Sequence, residues 1–194
     1  MTKEIEMEFK NLLTKEEFYR LLKSFHITEK DFSIQKNHYF DTSHFSLKKE
    51  AAALRIRELA HRNELTLKKK IEHGVLEINQ KIEDKDMKLL IKDSILPEGE
   101  VKEAITQIGI PIRDLFHFGS LTTHRAEQEY RGGLLVFDHS FYMDKEDFEL
   151  EYEVSKWETG KMIFMNLLHQ LQIKPKSTDT KIGRLYRARF RNNQ

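Results

Sequence analysis

The feature that most constrains this chain is an alternation of charged and apolar residues with a period of two, recurring in segment after segment. From Lys3 to Lys10, Glu4, Glu6, Glu8 and Lys10 share one face, and Ile5, Met7 and Phe9 share the other. Arg55 and Arg57 oppose Leu54 and Ile56 between Ala53 and Glu58. From Glu64 to Ile71, Thr66, Lys68 and Lys70 oppose Leu65 and Leu67. From Val75 to Ile82, Glu77, Asn79 and Lys81 oppose Leu76, Ile78 and Ile82, and near the end Glu149, Glu151 and Glu153 oppose Phe148, Leu150, Tyr152 and Val154. Successive side chains of a strand point to opposite faces, so each pattern predicts a strand with one charged and one apolar face. Further strands are expected over Phe116 to Tyr130, Leu134 to Tyr142 and, briefly, His38 to Asp41.

Helices fall between these segments. Thr14 with Glu17 three residues on is a capping box, followed by the apolar stripe Phe18, Leu21 and Leu22. Met87, Leu90 and Ile91 mark a short helix after Asp84. Pro97 is expected to begin another, with Val101, Ala104, Ile105 and Ile108 on one face and Gly109 as its stop. Thr159 to Gln172 carries Ile163, Phe164, Leu167, Leu168 and Leu171, and Asp179 to Arg191 forms a basic last helix. There is no repeat, and 8 Gly and 3 Pro leave little loose loop. Many antiparallel strands with helices inserted, and no regular alternation of the two, argue α+β with one large antiparallel sheet or barrel.

The rows of one sign are the unusual part. Like charges side by side on a strand repel, so they need an outside partner or free solvation. One such row fits a solvated outer face; five fit better a sheet curled into a closed tunnel, charged inside and covered by helices outside. A cationic wall of Arg55, Arg57, Lys68 and Lys70 facing Glu6, Glu8, Glu149, Glu151 and Glu153 suits a polyanion together with a divalent metal. Hard cations take carboxylate and phosphate oxygens, Arg offers phosphate a planar fork, and Lys a point charge.

Composition removes other classes. Charged residues make up 34% of the 194, yet 33 Lys and Arg balance 32 Asp and Glu, a net charge of +1. No single-sign field is expected to hold nucleic acid or an acidic membrane. With no Cys there is no disulfide, thiolate-held zinc or thiol nucleophile. The N-terminal MTKEIEMEFK lacks a signal-peptide run, and no stretch approaches the ~18 apolar residues of a membrane helix. A soluble, cytoplasmic protein is expected.

The ordered series of motifs resembles the CYTH superfamily, the triphosphate tunnel metalloenzymes. Glu6-Met7-Glu8-Phe9-Lys10 matches its ExExK signature, and Tyr39-Phe40-Asp41-Thr42 its YFDT segment. Leu54-Arg55-Ile56-Arg57 resembles its LRIR strand, Leu65-Thr66-Leu67-Lys68 its LTLK strand, and Leu150-Glu151-Tyr152-Glu153 its late LEIE strand. The resemblance covers essentially the whole chain and implies one domain over residues 1–194. The implied fold is an eight-stranded antiparallel tunnel with a charged lumen and helices packed outside.

By the same resemblance, Lys10, Arg55, Arg57, Lys68, Lys70, Arg125, Lys181 and Arg184 are triphosphate-binding positions. Glu6, Glu8, Glu151 and Glu153 are metal-binding carboxylates for Mg²⁺ or Mn²⁺, with Glu149 on their face. With Lys10, those four carboxylates form the catalytic set. Glu77 and Asp138 resemble further acidic positions of the lumen.

The family hydrolyses inorganic triphosphate, thiamine triphosphate or RNA triphosphate ends, or cyclises ATP. A metal-dependent triphosphatase acting on a small-molecule triphosphate is the leading expectation. Adenylate cyclase activity and non-catalytic binding of nucleotide or polyphosphate are the alternatives, since no base-pocket motif separates them. No stable nucleic-acid complex or membrane association is expected, and a homodimer is compatible with the sequence. Nine His residues show neither HxH nor HExxH spacing, which argues against a His-based metal site, although His124 and His139 are expected near the tunnel mouth. Trp157 reads as a packing residue at a strand–helix junction.

Overall fold

The computed structural model describes residues 2–72, 74–176 and 178–190. The chain divides into two compact units. The first comprises residues 1–6 and 35–121, the second residues 7–34 and 122–194. Among the described residues are nine strands and six α-helices, an α+β composition in which the strand pairs described below are antiparallel.

The first unit contains β1 (Thr2–Glu6), most of β3 (Ser33–Thr42), β4 (Ala52–Leu59), β5 (Arg62–Lys70) and β6 (Val75–Ile82), in the order β1-β6-β5-β4-β3. Helices α2 (Ser46–Lys49), α3 (Asp84–Asp93) and α4 (Glu100–Gln107) complete it. The register places Arg55 opposite Thr66 and Lys68 opposite Glu77, so these side chains share one face. The opposite face supplies Leu54, Ile56, Leu65, Leu67 and Ile78 to a core closed by Leu90 of α3 and by Val101 and Ile105 of α4. Leu54, Ile56 and Leu65 have no exposed surface, and each such side chain contributes roughly 1.5–3 kcal/mol by leaving water. That apolar face fixes the register, because a slip of one residue would bury the arginines in hydrocarbon.

The second unit orders its strands β7-β8-β9-β2. It uses β2 (Glu8–Leu13), the latter half of β7 (Leu115–Tyr130), β8 (Gly133–Tyr142) and β9 (Lys145–Glu153). Helices α1 (Lys15–Ser24), α5 (Trp157–Gln170) and α6 (Lys181–Phe190) belong to it. Leu135, Phe137, Phe148, Leu150 and Tyr152 pack against Phe18 and Leu21 of α1 and Phe164, Leu167 and Leu168 of α5. The turn between β7 and β8 has Arg131 at φ 48° and Gly132 at φ 81°. Two successive positive φ values match the right-handed twist of a tight hairpin and favour Gly at the second place. The capping box of α1 forms as expected: Thr14 Oγ1 accepts from Glu17 N at 3.1 Å, and Glu17 Oε2 accepts from Thr14 N at 2.7 Å.

Three local expectations change. The segment Lys3 to Lys10 is two strands broken at Met7, giving nine strands where eight are expected. Glu6 lies opposite Val75 while Glu8 lies opposite Glu153, so the chain changes its pairing partner at that residue. Helix α4 begins at Glu100, after Gly99 at φ 136°, rather than at Pro97. Gln80 sets this start by donating to the Glu98 carbonyl at 2.7 Å and accepting from Val101 N at 3.4 Å. Helix α5 starts at Trp157, two residues before the expected Thr159, with the Trp157 ring 4.4 Å from Phe9. The last helix ends at Phe190 within the described residues, and Arg191 lies outside them.

Candidate functional site

Charged and polar side chains of the first unit converge on the face of β4, β5 and β6 away from its core. Lys68 donates to Glu6 Oε2 at 2.8 Å and is also paired with Glu77. Burial acts to raise the Glu77 carboxyl, but Lys68 and a hydrogen bond with Glu6 outweigh it and hold it below the usual carboxylate range. Thr66 donates to Asn79 Oδ1 at 2.8 Å, and Asn79 donates to Glu4 Oε1 at 3.1 Å. Arg57 Nε donates to Asn37 Oδ1 at 3.2 Å, and Lys70 stands exposed at the end of β5.

Arg55 is the exception in this neighbourhood. It is 7% exposed, its Nη2 reaches Thr66 Oγ1 only at 3.5 Å, and its Nε has no hydrogen-bond partner among the described residues. A buried guanidinium normally finds carboxylates or carbonyls for its five donors. Arg55 therefore retains unused capacity for an anion.

The second unit presents a denser arrangement on β7, β8, β9 and α6. Arg125 forks onto Asp138, with Nε to Oδ1 at 2.8 Å and Nη2 to Oδ2 at 2.6 Å, and Nη2 also reaches Glu151 Oε2 at 2.9 Å. Lys181 Nζ lies 2.8 Å from Asp138 Oδ2, 2.6 Å from Glu149 Oε1 and 2.7 Å from Glu151 Oε1. Arg184 Nη1 donates to Glu149 Oε2 at 2.6 Å, and its Nε lies 2.7 Å from Asp147 Oδ2. Lys10 lies opposite Glu151, 3.7 Å from its Oε1, and pairs with Glu8; Glu8 in turn lies opposite Glu153.

Burial acts to raise Glu151, but Lys181, Lys10 and Arg125 hold it well below the carboxylate range. Asp138 is likewise lowered, its burial outweighed by Arg125 and Lys181. Burial acts to lower the Lys181 ammonium, yet Asp138, Glu151 and Glu149 raise it well above an ordinary lysine. Lys10 is raised for the same reason, with Glu151 and Glu8 overcoming its burial. Glu149 goes the other way: burial, reinforced by the charge of Glu151, pushes it up despite Lys181 and Arg184. Burial and then Asp147 push the Tyr142 phenol up to about 12, so at neutral pH it remains a donor to Asp147 Oδ2, at 2.6 Å.

Within each unit the expected residues come together: Glu6, Arg55, Lys68 and Glu77 in the first, and Lys10, Arg125, Asp138, Glu149, Glu151, Lys181 and Arg184 in the second. His124 and His139 are not among them. They pair across β7 and β8 on the face opposite Arg125 and Asp138, and His139 stacks on Phe148 at 4.2 Å.

Residues not singled out from sequence also take part. Asp147 continues the row of Glu149, Glu151 and Glu153 at the same period, a signal that could have included it. Asn11 carried no such signal. Buried in β2, it accepts from Lys176 N at 2.5 Å and donates to the Lys174 carbonyl at 3.3 Å, holding the connector that leads to α6.

The sequence profile of the CYTH domain matches residues 4–186. The chain belongs to the CYTH domain family. This CYTH chain is 45% identical over 186 residues to a Bacillus subtilis protein named "Putative triphosphatase YjbK", covering 96% of each. It superposes with a TM-score of 0.93 on a crystal structure described as a "putative adenylate cyclase" from Bacillus halodurans, at 43% identity, over 96% of this chain and all of that one. A protein of Hippeastrum, described as a "Putative adenylyl cyclase" that "reveals a dominant triphophatase activity", aligns at 22% identity with a TM-score of 0.79, over 96% and 97% of the two chains. At that identity the likeness speaks to the fold. Among the described residues no helix is long and apolar enough to cross a membrane.

Proposed function

We propose that this CYTH protein is a metal-dependent hydrolase of small-molecule triphosphates, and that residues 1–194 serve as one functional domain in the cytoplasm. The observation that carries the reading is Arg55, a buried guanidinium with an unpartnered Nε on a face that also bears Arg57, Lys68 and Lys70. A triphosphate carries several charges and many acceptor oxygens, the complement of that open Nε and of the cations beside it. The B. subtilis relative's name points the same way. Balanced charge supports a small substrate over a nucleic-acid complex.

In this reading Arg55, Arg57, Lys68, Lys70 and Lys10 hold phosphate oxygens, and Arg125 and Arg184 brace the carboxylates of the second unit. Lys68 exchanges its carboxylate partners for phosphate as substrate arrives. Glu8 and Glu153, opposite one another on β2 and β9, are hard oxygen donors suited to Mg²⁺ or Mn²⁺. The family signature adds Glu6 and Glu151 to that set. When bound, such a cation neutralises phosphate charge and favours in-line attack by water.

The test is a panel of tripolyphosphate, thiamine triphosphate and ATP, each with Mg²⁺ or Mn²⁺. Orthophosphate release is expected. Cyclic AMP plus pyrophosphate from ATP would replace the reading with a cyclase, and tight binding without turnover would replace it with a binding protein. Arg55→Met is expected to raise KM for the best substrate at least tenfold, roughly the loss of one charge-assisted pair. An unchanged KM would remove Arg55 from the substrate contacts.

A further inference from the structure

We propose that the outward face of α5 is a homodimer seam, on which a second copy of this chain lays its own α5 antiparallel. The buried side of the helix is set by Gly160, Phe164, Leu167 and Leu168. Gly160 fixes the rotation, because a Cβ there would come within 2.7 Å of Val154 Cγ1. At about 100° per residue, Glu158, Met162, Met165 and His169 then fall on the opposite side, within about 60° of one another. Met162 is 63% exposed and Met165 43%, on consecutive turns at the centre of the solvent side. Single exposed apolar residues are ordinary on a protein surface. Here α5 is apolar on both sides, the pattern of a helix with neighbours on both.

The steps between the four residues are four, three and four. That is the alternation of a two-helix seam, in which helices cross at roughly 20° and interleave their side chains. Methionine suits such a place, since its unbranched, polarizable chain adapts to irregular gaps and is enriched at interfaces.

Charge chooses the partner and its direction. Glu158 and His169 end the stripe, both are exposed, and neither side chain has a hydrogen-bond or ion-pair partner among the described residues. Turned about a two-fold axis midway between Met162 and Met165, a second copy brings its Met165 to Met162 and its His169 to Glu158. The same contacts repeat at the other end. One rotation therefore satisfies all four residues, as a self-complementary interface requires. A parallel pair would instead set Glu158 against Glu158 and His169 against His169.

The pairing of two 14-residue helices is small. It falls at the low end of interface sizes, under about 1,200 Å², which sets the expected Kd at about 10–100 μM. Helix α5 packs on the apolar side of β2 and β9, away from Lys10 and Glu151, so the proposal holds whether or not the chain is a hydrolase.

The experiment is sedimentation velocity of the full chain from about tenfold below to about tenfold above that Kd, with folding checked by circular dichroism. A reversible shift from one chain mass to two is expected. Met165→Glu is expected to weaken association roughly tenfold or more, because each dimer would bury two carboxylates. The chain has no Cys, so mild oxidation of cysteine variants reads the direction. In Glu158→Cys combined with His169→Cys, thiols of different copies meet, and a disulfide-linked dimer is expected. Within one chain those positions lie about 16 Å apart along the helix, beyond disulfide reach. Either single variant is expected to stay unlinked.

A chain that remains monomeric over this range would overturn the proposal, and so would a dimer whose association Met165→Glu leaves unchanged. Cross-linking in His169→Cys alone would establish a parallel pair and overturn the antiparallel one. If Met165→Glu does not fold, the double cysteine variant decides: linked against two unlinked singles upholds the seam, and unlinked rejects it.

Discussion

Arg125→Met removes the guanidinium that bridges Asp138 and Glu151 while keeping the length of the side chain. Asp138 is 0% exposed, Glu151 4% and Arg125 9%, so the change strands two carboxylates out of water. Breaking a buried ion pair by deleting one partner costs about 3–5 kcal/mol. Lys181 remains within 3 Å of both carboxylates and offsets part of the loss, which places the expectation near ~3 kcal/mol. Against a typical total of about 5–15 kcal/mol, that is roughly a fifth to three-fifths of the stability.

Urea unfolding followed by circular dichroism reads the difference from the midpoint at constant slope. The companion variant Asp138→Asn and the double variant complete a cycle, in which the coupling is expected to reach about 1.5 kcal/mol or more. A loss under ~1 kcal/mol in Arg125→Met, or strict additivity in the double variant, would show that Arg125 does not balance these carboxylates.

Two further outcomes follow from the charged faces. Lys10→Ala is expected to lower turnover at least 100-fold in a phosphate-release assay, with the folded state retained by circular dichroism; unchanged turnover would reject Lys10 as a substrate contact. The pH dependence of stability has a definite sign. Asp138 and Glu151 are held below their unfolded values of about 3.9 and 4.3, so their stabilisation is present above that range and is lost as pH falls through the folded values. Glu149 is raised, so its contribution is greatest below about 4.3 and fades as pH rises through its folded value. Melting temperature is therefore expected to fall in acid below about pH 4, and more shallowly in Asp138→Asn, which no longer titrates there. Equal acid slopes in the two proteins would refute the assignment of that loss to Asp138.

Much of this protein was already present in the order of its residues. A period of two needs only the pleat of a strand to be read, so Arg55 with Arg57, Lys68 with Lys70, and Glu149 with Glu151 and Glu153 fell on their faces without any tertiary information. Local chemistry likewise placed α1, whose capping box involves residues three apart. What sequence could not supply was which row meets which. The break at Met7 depends on a change of pairing partner, and the start of α4 on the Gln80 side chain of β6. The long-range decisions concern charge. Only the packed second unit brings Lys181 of α6 against three carboxylates from β8 and β9, and only there does burial drive Glu149 up while its neighbour Glu151 is driven down. Identical side chains two residues apart thus behave oppositely because the field at each is summed over groups far away in the chain, and that sum exists only once the strands and the last helix are in place.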